Sequence, residues 1–179
     1  VRIEIDTAAE AIDHLVDCAR RAARTTISFV NPHCLNVAYR HKAYRQSLEA
    51  SDYVLPDGIG IKLASKMLRV NLRENVNGTD LFPRLCARLA EEGQSIFLLG
   101  AREGIPEAVA ANMNAQYPTL RIAGTQHGYF REDETPEVIE RINQSGADFL
   151  FVAFGVPKQE LWLAEHREAL RVPVRLAVG

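Results

Sequence analysis

Ser95-Ile96-Phe97-Leu98-Leu99 is apolar at every position after the first, and Phe149-Leu150-Phe151-Val152-Ala153-Phe154 is apolar throughout. A strand with one wet face alternates apolar and polar residues, whereas a continuously apolar one is buried on both faces. Stretches of helical period separate these runs and are long enough to cross over a parallel sheet. The pattern predicts an α/β fold: a Rossmann-like parallel sheet with helices on both faces, in a single domain spanning residues 1–179.

The remaining elements follow from local signals. Ala8 to Ala23 has helical spacing, with Thr7 as its cap. Thr25 to Val30 is a β-rich run ending in Asn31-Pro32. Leu35 to Ala50 reads as a helix broken near His41. A short strand from Asp52 to Leu55 closes on Pro56-Asp57-Gly58, and a helix follows from Ile59 to Leu68. After a polar loop, Thr79 or Asp80 is expected to cap a helix over Leu81–Glu92 that ends at Gly93. The second half gives strands at Ser95–Leu99, Leu120–Gln126, Asp148–Phe154 and Val174–Val178. Its helices enter at Pro106, at Thr135-Pro136 with Thr135 as cap, and over Pro157–Leu170.

With 179 residues and a formal net charge of -2, the chain can bury a sizeable core and lacks the basic excess of a general nucleic-acid binder. No apolar run approaches the roughly 20 residues of a membrane helix. The opening Val1-Arg2-Ile3-Glu4 is not a signal peptide, and both ends are expected to be cut from a longer protein. The three cysteines, Cys18, Cys34 and Cys86, form no Cys-x-x-Cys pair and suit a reducing cytoplasm. His14 and His166 fall at exposed helical positions, and His33 and His127 in loops without ligand spacing.

In parallel sheets ligands sit outside the carboxyl ends of the strands, so the loops after strands are where chemistry is sought. Gly100-Ala101-Arg102-Glu103-Gly104 joins a strand to a helix. It is either a tight turn or a phosphate cradle of backbone amides, with Arg102 as a charged donor. Pro56-Asp57-Gly58 is either turn chemistry or a carboxylate poised to take a proton from a hydroxyl. In Gly155-Val156-Pro157-Lys158-Gln159-Glu160, Gln159 can hydrogen-bond a sugar or phosphate, while Glu160 is either functional or a first-turn carboxylate. No Asp-x-Asp pair for a divalent metal is present, which favours a metal-free mechanism without a cofactor.

Taken in order, these loops resemble the WecG/TagA/CpsF family of bacterial glycosyltransferases. The resemblance rests on Asn31-Pro32, on Ala50 to Gly60 (ASDYVLPDGIG), on Asn77-Gly78-Thr79-Asp80-Leu81, on Ile96 to Gly100, on Gly128-Tyr129-Phe130 and on Val152 to Glu160 (VAFGVPKQE). It runs from about Ile27 to Gly179. It implies a metal-independent, inverting transfer of an N-acetylmannosamine-type sugar from a UDP carrier to a polyprenyl-diphosphate-linked acceptor, for cell-surface polysaccharide.

By the same analogy Asp57 is the general base, and Asn31 and Gln159 line the sugar-nucleotide pocket. Gly58, Gly100, Ala101, Arg102, Tyr129, Gly155 and Lys158 complete the substrate-binding set. The resemblance also implies a basic C-terminal tail beyond Gly179 that touches the inner face of the membrane and completes the site, and a homo-oligomer. Two positions depart from the family pattern: Phe29 stands where Thr is common and Asn75 where Arg is common. The alternatives are an idle sugar-nucleotide-binding module and a different nucleotide enzyme such as one using NAD, which the missing glycine fingerprint disfavours.

Overall fold

Each apolar run becomes a strand of one sheet. The computed structural model describes residues 1–179, with strands β1 (Thr25–Val30), β2 (Tyr53–Pro56), β3 (Ser95–Gly100), β4 (Arg121–Gln126), β5 (Phe149–Ala153) and β6 (Val174–Ala177). All pairings are parallel, in the order β2-β1-β6-β5-β3-β4. The helices are α1 (Ala8–Arg20), α2 (Pro32–Arg40), α3 (Lys42–Ala50), α4 (Ile59–Met67), α5 (Gly78–Glu92), α6 (Ile105–Gln116), α7 (Thr135–Gln144) and α8 (Lys158–Glu165). The expected α/β sheet is borne out.

Alternate residues of the strands face two different cores. Ile27, Leu55, Ile96, Leu98, Phe149 and Leu176 pack against α1, α5 and α6. Their neighbours Phe97, Leu99, Leu150 and Val152 pack against α7 and α8, and Val30 and Val54 against α2 and α3. Right-handed crossovers account for this sorting. Moving from β2 to β3 to β4 carries the chain one way along the sheet, and the other steps run back, so their helices take opposite faces.

Several boundaries differ from expectation, each for a local reason. Asp52 and Asp148 stand just outside β2 and β5, where each braces a neighbouring strand. Thr26 N donates to Asp52 Oδ2 at 2.8 Å and Ser95 N to Asp148 Oδ2 at 2.7 Å. The cap of α5 is Asn77, whose Oδ1 accepts from Asp80 N at 2.8 Å, and neither Thr79 nor Asp80 serves. Thr135 is not a cap either, because a 3-10 turn over Glu132–Glu134 already leads into α7.

The helix expected over Pro157–Leu170 stops at Glu165. Arg167 then pins the following turn to Ala50 O at 2.8 Å and to Asp52 at 2.9 Å. β4 is only partly covered, as suits an edge strand with Arg121, Thr125 and Gln126 in it.

The break near His41 is real. His41 ends α2 and caps α3, with Tyr44 N donating to its Nδ1 at 3.1 Å. Thr7 caps α1 in a reciprocal box with Glu10. His14 is exposed but lies stacked on Tyr53, and His166 is half-buried, edge-on to Trp162. The three cysteines are buried and unpaired, and burial pushes the Cys86 thiol up to about 12.

Candidate active site at the carboxyl edge of the sheet

Asp57 follows the last residue of β2, and its backbone N–H donates to Val30 O at 2.8 Å, extending the pairing with β1 by one step. Gly58 then turns the chain into α4 with φ 90° and ψ 159°, a conformation essentially reserved for glycine. The Asp57 carboxyl is half-buried at the end of the sheet. Burial raises its pKa, and the side chain of Asn31 opposes that rise by stabilising the charged form. Asn31 can do this because its two ends are divided. Its Oδ1 caps α2, accepting from Cys34 N at 3.0 Å, which leaves its amide nitrogen for Asp57.

Two adjoining cavities occupy this edge. One, of about 290 Å³, is polar and is lined by Asn31, Asp57 and Gln159, with Phe29 on its wall. The other, of about 310 Å³, is mostly apolar and lies over β3 and β5, lined by Phe82, Leu98, Gly100, Ala101 and Phe151 among others. Gly78, Thr79 and Val178 line both cavities. The shared wall is therefore the N-terminus of α5, where the first backbone amides of a helix lack partners inside it and favour an anion.

Gln159 is buried beneath the polar cavity, with all four hydrogen-bonding positions of its amide engaged. Its Oε1 accepts from Gly155 N at 3.1 Å and Gly179 N at 3.0 Å. Its Nε2 donates to Gly179 O at 3.0 Å and to Glu160 Oε1 at 3.1 Å. The side chain thus ties the start of α8 to Gly179, two residues past β6, and shapes the cavity wall. Glu160 is also buried and its Oε2 has no partner. Burial raises its pKa, and the Tyr44 hydroxyl, also buried and unpartnered, lies within its electrostatic reach.

The start of the Gly100 loop is shaped by its packing against β5. A Cβ on Gly100 would stand 2.3 Å from Ala153 O, so packing against β5 demands this glycine. The Ala101 amide is already spent on Ala153 O at 2.9 Å. At the adjacent start of α6, its own backbone amide and the Thr125 hydroxyl hold the Glu107 carboxylate below its usual range. Gly100 and Ala101 line the apolar cavity alone, whereas Gly78 and Thr79 stand on the wall between the two cavities. Sequence patterning marks the Gly78-Thr79 block as a helix entry, and the family resemblance includes it without assigning it to the site. Its place in the site depends on α5 returning its N-terminus to the carboxyl edge.

Of the other expected residues, Gly155 touches the site through Gln159. Arg102 and Tyr129 are exposed and line neither cavity. Lys158 lies over the Phe154 ring at 5.0 Å and faces a separate groove beside α7. Asn75 lines neither cavity, and its Oδ1 is buried without a partner. No Arg or Lys lines either cavity, and Arg73 is committed to Glu10 at 2.7 Å. No three His, Cys, Asp or Glu side chains gather closely enough to hold a metal ion.

The whole chain, residues 1–179, matches the family described as "Glycosyl transferase WecG/TagA/CpsF family". A protein of Bacillus subtilis (strain 168) named N-acetylglucosaminyldiphosphoundecaprenol N-acetyl-beta-D-mannosaminyltransferase is 32% identical over 153 residues, covering 86% of this chain and 59% of its own length. A Staphylococcus aureus (strain NCTC 8325 / PS 47) protein of the same name is 35% identical over 151 residues, covering 83% and 58%. The chain spans less than three fifths of the length of these curated relatives.

Proposed function

Since the chain belongs to the WecG/TagA/CpsF family of glycosyl transferases, we propose that it moves an N-acetylmannosamine-type sugar from UDP to a polyprenyl-diphosphate-linked sugar, with inversion and without a metal. The observation that carries this reading is the pair of adjoining cavities. A half-buried carboxylate sits in the polar one, and a helix N-terminus separates it from an apolar slot of nucleoside size. The nucleoside occupies the apolar cavity, the diphosphate meets Gly78 and Thr79, and the donor sugar lies toward Asn31 and Asp57.

In the proposed step Asp57 takes the proton of the acceptor hydroxyl as its oxygen attacks the anomeric carbon. The bond from that carbon to the UDP oxygen breaks, and UDP leaves with the electron pair. Amides at the start of α5 stabilise the developing charge on the leaving diphosphate. The raised pKa of Asp57 makes it a stronger base than an ordinary aspartate. The names of the relatives, which act on a diphosphoundecaprenol-linked sugar, support the choice of acceptor. The place of action is then the cytoplasmic face of the membrane.

A second reading, sugar-nucleotide binding without transfer, is favoured by one observation: no cation lines either cavity to assist departure of the diphosphate. Calorimetry with UDP and a UDP-release assay with a lipid-linked acceptor separate the two. UDP binding by both wild type and Asp57→Asn is expected, with release slowed about 10²- to 10⁴-fold in the variant. Binding without any release by the wild type selects the second reading. Equal release rates remove Asp57 from the mechanism.

A further inference from the structure

α4 is a nine-residue helix in which only Ile61 is buried. A helix this short is marginal in water and takes its stability from a covered apolar face. Here the apolar face is open: Ile59, Leu63 and Met67 are 71%, 55% and 85% exposed, and Leu68 at the helix end is 74% exposed. The first three recur every fourth residue and so form one stripe. Lys62 and Lys66, also exposed, form a parallel stripe beside it, with exposed Arg69 just past the helix end.

No acidic residue occurs between Gly58 and Arg73. Arg73 is paired with Glu10, whereas Lys62, Lys66 and Arg69 have no ion-pair partner. The whole chain carries -2, so this cationic strip is a local feature rather than an average property.

We propose that α4 and the turn after it are a docking surface for an anionic phospholipid bilayer, with Ile59, Leu63, Met67 and Leu68 entering the headgroup boundary and Lys62, Lys66 and Arg69 meeting lipid phosphates. An apolar stripe bordered by cations is the pattern of a helix lying in the plane of a membrane interface. A second copy fits less well. A two-fold pairing of α4 with itself would bring the lysine rows together, and like charges oppose it.

The placement gives the surface a use. α4 begins two residues after Asp57, and the exposed Arg102, Ile105 at the start of α6, and Tyr129 follow strands at the same edge of the sheet. A bilayer on α4 would hold the mouth of the polar cavity at the membrane surface, where a polyprenyl-anchored acceptor presents its head. The docking inference rests on the surface itself, and only this last consequence rests on the transferase reading.

The test is co-sedimentation of the 179-residue chain with vesicles of equal parts phosphatidylglycerol and phosphatidylcholine, against vesicles of phosphatidylcholine alone. Leu63→Gln/Met67→Gln and Lys62→Glu/Lys66→Glu are compared with wild type, with circular dichroism as the check on folding and light scattering for mass. Wild type is expected to sediment with the anionic vesicles. Each double variant should bind about tenfold less or weaker while keeping its fold. Absence of wild-type binding, or equal binding by folded variants, overturns the proposal. A wild-type dimer that the variants convert to monomer, without vesicle binding, assigns the stripe to a second copy instead. UDP calorimetry on the same samples keeps the two ideas apart: vesicle binding without UDP binding retains the docking surface and removes the transferase reading.

Discussion

Asn31 serves two partners, and the division makes its removal informative. Its oxygen caps α2 through Cys34 N, and its amide nitrogen favours the charged form of Asp57. Asn31→Ala removes that support, so the Asp57 pKa, already raised by burial, should rise further. A base works in its ionised form, so the acid limb of the rate profile should move to higher pH, with the plateau above it better preserved. The pH dependence of kcat/KM for both proteins measures this, and an unmoved limb would separate Asn31 from Asp57. Loss of the cap should also cost about 1 kcal/mol of stability. Gly58 offers a cleaner case. A Cβ there would meet nothing within 4 Å, yet φ is +90°. Gly58→Ala should therefore destabilise through backbone conformation alone, by about 1–3 kcal/mol in urea unfolding, without a packing clash.

At the scale of elements, Glu160 shows what anchors α8 under the site. The helix begins over a buried carboxyl that accepts from Gln159 and has one oxygen without a partner. Burial raises its folded-state pKa above the unfolded value, so the folded protein holds the proton more tightly. That contribution to stability is fully present below the unfolded pKa and is lost as pH rises through the folded one. Glu160→Gln keeps the shape and an acceptor for Gln159 but cannot ionise. The variant should therefore gain on wild type as pH rises out of the acid range, by a few degrees in Tm near neutrality, with the difference closing below the ordinary carboxylate range. Parallel melting curves across pH read this directly.

The strands, the crossover helices and the break at His41 were legible because apolar runs and their periods are local properties. The caps at Asn77 and before Thr135 were misjudged because several capping residues stand side by side, and only the path of the chain selects one. Asp57 and Asn31 were legible as residues after strands. Gly78 and Thr79 were not, since their place on the cavity walls depends on which end of α5 returns to the carboxyl edge. The four hydrogen bonds of Gln159 were not legible for a related reason, because they go to Gly155, Glu160 and Gly179, which adjoin only in the fold.

For the molecule as a whole, the sheet order places the site across a seam. β2 and β1 carry Asp57 and Asn31, β5 and β3 carry the apolar cavity, and β6 lies between them. A ligand spanning both cavities binds only when both sides are folded together, so it should stabilise the entire domain rather than one part. At a UDP concentration one hundred times its Kd the gain is about 2.7 kcal/mol, which corresponds to a rise in Tm of roughly 5–10 °C in a domain of this size. Phe82 tests whether the nucleoside is the part that occupies the apolar side. It is half-buried, edge-on to Phe151 at 5.0 Å, and lines only that cavity. Phe82→Ala will lower the unliganded Tm through lost packing, so the quantity to compare is the increment that UDP adds at a fixed concentration. The increment should shrink by several degrees if the base packs on this ring, since such contacts are worth roughly 1–3 kcal/mol. An undiminished increment would move the nucleoside out of the cavity and leave the diphosphate contact with α5 as the remaining anchor.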